Sequence, residues 1–209
     1  MLTMLIDHVG IVFYDDDWRL RLIGRLAFPL YAYALVLGFG RTRNVPRYML
    51  RLAAIAVVSQ LPYEWAFGYG GPEIGHPVNV VGSLLVCLCV LYALDRLPLP
   101  AGIACAAAAG WLLEALSFSY GFYALALVLV LRYGRGHAVL LWHTALNLIF
   151  LFYKGWLIQP ASVFGTALVV YGMPLLDRLD RASVPRWLWR SFYPLHLALI
   201  ALAAYWMGL

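Results

Sequence analysis

The chain has 209 residues, 64% of them hydrophobic and 12% charged, with a formal net charge of +5. An ordinary soluble domain is about 25% charged, so a water-solvated globule is excluded and an all-α, polytopic transmembrane helical bundle is expected. The apolar runs are continuous and do not alternate with period two, which argues against a membrane barrel. No polar stretch is long enough to fold alone, so 1–209 reads as a single integral membrane domain. The positive charge points to orientation and lipid contact, with no nucleic acid partner.

In chain order, apolar segments fall at 1–14, 22–40, 48–67, 78–94, 99–115, 120–132, 138–153, 157–175 and 191–208. These predict about nine spans. A full crossing takes about 20 residues, so several are short, the first and sixth most of all. Met1–Tyr14 lacks a basic lead and an A-x-A exit and carries Asp7 and His8 at its centre, unlike a signal peptide. Turn residues join the segments, as in GYGGPEIGHP (68–77) and LPLP (97–100). Pro29, Pro62, Pro174 and Pro194 lie in or near segment ends, where they kink helices. Cys87, Cys89 and Cys105 sit in apolar runs without CxxC spacing and read as buried small hydrophobes.

Basic residues set the orientation. Arg41, Arg43, Arg47, Arg51, Arg96, Arg132, Arg135, Arg178, Arg181, Arg186 and Arg190 fall on even-numbered connections. Asp15, Asp16, Asp17, Glu64, Glu73 and Glu114 fall on the odd side. The even side is therefore read as cytoplasmic, with the N-terminus inside and, for nine spans, the C-terminus outside.

Ionisable groups inside such segments are costly, and they mark sites or helix-locking pairs. His8 is a candidate general base. Adjacent Asp7 either orients it or binds a neighbouring span. Arg25 either snorkels to head groups or pairs with Asp7 or the acids 15–17. The cluster Arg41, Arg43, Arg47 and Arg51 reads as a topology signal with lipid contact, or as a cradle for a polyphosphate. Ser59-Gln60-x-Pro62 marks a kinked inward position or an interhelical hydrogen bond. His143 and Asn147 share a helix face at i, i+4, and His196 follows Phe192-Tyr193-Pro194. With Asn79 and Glu114 these suggest a polar interior.

Taken together, LIDHVG (5–10), IGRLAFPLYAY (23–33), TRN with Tyr48-Met49-Leu50-Arg51, SQLPY (59–63), Asn79 and SFYPLHL (191–197) resemble the TraX family of membrane proteins. The motifs occur in the same order over nearly the whole chain. The family's named member acetylates the N-terminal amine of a conjugative pilin subunit. The family is also similar to multi-span acyltransferases that act outside the cytoplasm. The resemblance implies an acetyl-CoA-dependent acetyltransferase of the bacterial inner membrane. Its acceptor would be a pilin-like N-terminal amine, another peptide or a small hydroxyl compound. It also implies His8 as general base, Asp7 as its orienting acid, Arg25 and Gln60 lining the site, and His196 facing the same cavity. The arginines 41–51 are candidates for the phosphates of the cofactor on physical grounds alone, and no metal is expected.

A proton-coupled small-molecule transporter using Asp7 and His8 is the main alternative, though no inverted repeat is present. A haem protein with two of His8, His143 and His196 as axial ligands is compatible with the spacing. An intramembrane protease is disfavoured by the absence of GxSG, paired Glu and HExxH.

Overall fold

Polar residues and prolines end the apolar runs. The computed structural model describes residues 1–68, 77–172 and 185–208, and among these every regular element is helical. Helix α1 (Leu2–Phe13) is followed by Asp15 and Asp16 in the left-handed region, with φ 48° and 61°. Asp tolerates that conformation better than most residues. The chain reverses there, and Asp17 caps α2 (Trp18–Gly24) by accepting the Arg19 backbone N–H at 2.7 Å.

The segment 22–40, expected as one span, is two helices. Here α3 (Ala27–Arg41) begins after a break at Arg25–Leu26. The break lies four residues before Pro29. That proline cannot donate to the Arg25 carbonyl, and its ring crowds it. The next helices are α4 (Val45–Ala66), α5 (Val80–Arg96), α6 (Leu99–Ala115), α7 (Gly121–Tyr133) and α8 (His137–Lys154). A single 3-10 turn at Gln159–Ala161 leads into α9 (Ser162–Tyr171), and α10 (Arg186–Met207) follows. Among the described residues one stretch, Trp18–Arg41, is long and apolar enough to cross a membrane by length and composition. Leu2–Phe13, Leu99–Ala115, Gly121–Tyr133 and Ser191–Met207 are apolar but shorter.

Helix α4 packs between α5 and α10, α3 packs on α7 and α9, and α1 packs on α2 and α10. The ion pair Lys154–Glu114 joins the C-terminal ends of α6 and α8. At the opposite end, Arg132 reaches Asp95 at 3.5 Å and lies 5.4 Å over the Phe39 ring. Arg41, Arg43, Arg47, Arg96 and Arg132 therefore share one end of the bundle, with Asp16 and Glu114 at the other. Glu73, Pro174, Arg178 and Arg181 lie outside the described residues, as do the side chains of Arg186 and Arg190.

The helices are apolar outside and partly polar inside. On α8, Leu141, Trp142, Leu148, Ile149 and Phe152 face outward while His143 and Asn147 are buried. On α4, Leu50, Val57, Val58, Leu61 and Trp65 are exposed and Ser59 is buried. The cysteines correct one expectation. Cys87 is buried, but Cys89 and Cys105 are exposed on this apolar exterior, since their helices turn those faces away from the core.

Candidate active site

A cavity of about 1020 Å³ opens among α1, α3, α4 and α10, at the upper end of the range for small-molecule sites. Helix α1 contributes Met4, Asp7, His8 and Ile11, the i, i+3, i+4, i+7 stripe of one face. Helix α3 contributes Ala27, Phe28, Tyr31, Ala34 and Leu35 by the same rule. The wall on α4 extends from Tyr48 to Phe67, a rise of roughly 28 Å at 1.5 Å per residue. The cavity thus spans most of the bundle's length. At one end it is lined by Asp16, Arg21 and residues 155–159. At the other stands Tyr48, whose ring carries the Arg51 guanidinium 5.7 Å from its centroid.

Two histidines from opposite ends of the chain meet here, but only His8 lines the cavity; His196, expected to face it, is buried off the lining against His8. His8 Nδ1 lies 2.9 Å from His196 Nε2, and the rings stack 5.0 Å apart. His196 Nδ1 lies 2.7 Å from the Phe192 carbonyl oxygen, one turn back on α10. A carbonyl only accepts, so His196 Nδ1 carries hydrogen and donates. In the neutral pair, His196 Nε2 is then the acceptor and His8 Nδ1 the donor. The lone pair of His8 Nε2 is left free for a proton. Phe192 stacks on His196 at 4.7 Å, and Phe67 meets His8 edge-on at 5.1 Å.

Asp7 does not serve the imidazole. Its two oxygens accept from Arg25 Nη2 at 2.8 and 2.7 Å, and Arg21 Nε lies 3.5 Å away. The side chain hydrogen-bonded to the His8 imidazole is His196 and not Asp7. Arg25 also donates to Gln159 Oε1 at 3.4 Å and lies over the Tyr120 ring at 5.8 Å. Gly24 makes the Asp7 pair possible, because a Cβ there would lie 2.2–2.4 Å from the Asp7 side chain.

Other expected site residues lie elsewhere. Gln60 and Asn79 join α4 to α5. Gln60 Oε1 accepts from the Asn79 backbone N–H at 3.1 Å and from its Nδ2 at 2.8 Å. Asn79 caps α5 through the backbone N–H groups of Val81 and Gly82. Neither lines the cavity. His143 and Asn147 belong to a separate buried cluster. There His143 Nε2 meets the Tyr123 hydroxyl at 2.8 Å, His143 Nδ1 meets Thr166 at 2.7 Å, and Ser162 closes the network. Tyr193 lines the cavity, with its ring edge-on to His196 at 5.5 Å. Arg41, Arg43, Arg47 and Arg51 are exposed at the basic end, with Arg47 and Arg51 within a turn of Tyr48 on α4, and none of the four lines the cavity.

Sequence reading missed Arg21, Tyr31 and Gln159. Tyr31 stands on the same helix face as Ala27 inside the quoted IGRLAFPLYAY segment, and that periodicity was the available signal. Gln159, a lone amide in an apolar connection, was the other.

These features define, over the described residues, a helical protein with an apolar exterior and a long cavity lined by His8, which pairs with His196. The chain belongs to the TraX family, whose description, TraX protein, matches residues 1–203. A similar protein is the "Probable fimbrial assembly protein FimC, serogroup H1" of Dichelobacter nodosus, 31% identical over 149 residues. The match covers 64% of this chain and 58% of that protein. No solved structure matches the chain.

Proposed function

We propose that the protein is a polytopic enzyme of the bacterial inner membrane that moves an acetyl group from cytoplasmic acetyl-CoA to a peptide amine, with a pilin N-terminus as the model acceptor. The observation that carries this reading is His8 on the cavity wall, hydrogen-bonded to His196, with the tautomers of the pair set by the Phe192 carbonyl. An amine attacks a thioester only as the neutral base and must shed a proton as the N–C bond forms, and a neutral imidazole in a site poor in water can take it. The apolar exterior, with polar residues turned inward, supports a lipid surrounding. The fimbrial assembly role in the relative's name supports a pilin-like acceptor.

Acetyl-CoA supplies the activated acyl group. Arg43, Arg47 and Arg51 at the basic end would hold its phosphates, and the wall from Tyr48 to His8 would take its arm. At the opposite end, beyond Arg21 and Asp16, the acceptor would enter. Purified protein in lipid nanodiscs, given labelled acetyl-CoA and a peptide with a free N-terminus, is expected to yield N-acetylated peptide. His8→Ala should lower the rate by about 10²–10⁴. Full transfer by His8→Ala would remove His8 from the chemistry.

A further inference from the structure

On the cavity wall, the Tyr31 hydroxyl is shielded from solvent and makes no hydrogen bond among the described residues. Buried polar atoms are nearly always partnered, and an unpartnered hydroxyl on a cavity wall is available to bind a ligand. Arg25 Nε, on the same wall, is also without a partner. The charges beside it are already matched, because Asp7 and Asp16 stand against Arg21 and Arg25. The unmet demand is therefore for a hydrogen-bond acceptor that is uncharged when it binds. A carbonyl oxygen meets it. Tyr31 packs into the apolar cluster of Met4, Ala27, Tyr193 and Leu197, and Met4 is one turn of α1 from His8.

Resting on the acetyltransferase reading above, we infer that Tyr31 is a catalytic residue whose O–H binds the carbonyl oxygen of the acyl group and stabilises the oxyanion. As the acceptor nitrogen bonds to the carbonyl carbon, its proton passes to His8 Nε2. The C=O pair moves onto oxygen and is held by the Tyr31 hydroxyl. The pair then returns, the C–S bond breaks, and the proton on His8 leaves with sulfur as the thiol. Amide and free thiol are the products, and His8 is neutral again.

The test is Tyr31→Phe, which removes one oxygen and keeps the ring. Losing one oxyanion donor is expected to lower kcat about a hundredfold. Because an unpartnered hydroxyl is removed, the thermal midpoint should hold or rise. Binding gives a second readout that needs no turnover. Wild type should prefer acetonyl-CoA, a ketone analogue, over S-propyl-CoA, where CH2 replaces the carbonyl, and Tyr31→Phe should lose that preference. Active wild type with Tyr31→Phe within threefold of it, or with the analogue preference unchanged, overturns the role of Tyr31 alone. A wild type that neither binds acetyl-CoA nor transfers acetyl overturns the function proposed above and this role with it.

Discussion

At the scale of single residues, two adjacent side chains in α1 have separate tasks. His8 turns to His196, and Asp7 turns to Arg25, about 100° around the helix. Their substitutions should therefore differ in kind. Asp7→Asn leaves Arg25 charged and half-matched in the interior, where breaking such a pair costs about 3–5 kcal/mol. Unfolding of the detergent-solubilised variant should show that loss, and Asp7→Asn with Arg25→Gln should recover part of it. An unchanged midpoint in the single variant would mean the pair is not buried as described. His196→Phe keeps a stacked ring but removes the acceptor for His8 Nδ1. The tautomer is then free, and kcat is expected to fall about ten- to a hundredfold with little change in KM. A single-turnover assay separates this from a folding defect.

Close approach governs the helices as elements. The α1–α2 hairpin brings Gly24 against Asp7, where an added Cβ meets side-chain atoms at 2.2–2.4 Å. Gly24→Ala is expected to cost about 1–3 kcal/mol through overpacking and to displace Asp7 from Arg25. Gly40, near the end of α3, has nothing within 4 Å of such a Cβ. Gly40→Ala should stabilise by about 0.5–1 kcal/mol, so thermal scans of the two alanine variants should move in opposite directions. Asn79 belongs to the same scale. Its side chain caps α5 and binds the Ala56 carbonyl at 2.7 Å, fastening two helices. Asn79→Ala should lower stability by about 1–2 kcal/mol and leave kcat of the folded fraction unchanged. A specific loss of kcat would mean it reaches the substrate after all.

The bundle as a whole gathers Arg41, Arg43, Arg47, Arg96 and Arg132 at one end and opens the cavity's other mouth, with its Arg21–Asp16 ion pair, at the opposite end. If the phosphates of the acyl donor are held at the basic end, Arg43→Ala/Arg47→Ala should raise KM for acetyl-CoA and leave kcat near wild type. Added salt should mimic the change, since exposed charges are screened within about 8–10 Å at physiological ionic strength. A KM insensitive to both would move the phosphate site elsewhere. The buried cluster of His143, Tyr123, Asn147, Ser162 and Thr166 lies within the same bundle and ties α7, α8 and α9 together through fully partnered groups.

Local chemistry alone determined the helical class, most helix boundaries and the gathering of Arg41, Arg43, Arg47, Arg96 and Arg132 at one end. Long apolar runs with capping Asn or Asp and terminal prolines report themselves along the chain. The DH pair and the FYPLH motif were legible for the same reason. The pairing of these groups was not, because contacts 188 residues apart, such as His8 with His196, depend on which helix faces meet. Nothing in the order of residues assigns Asp7 to Arg25 rather than to His8, moves Gln60 and Asn79 from the site to a helix joint, or sets His143 in a network of its own. Those outcomes come from packing, in which each buried polar group takes the partner that tertiary geometry brings within hydrogen-bond reach.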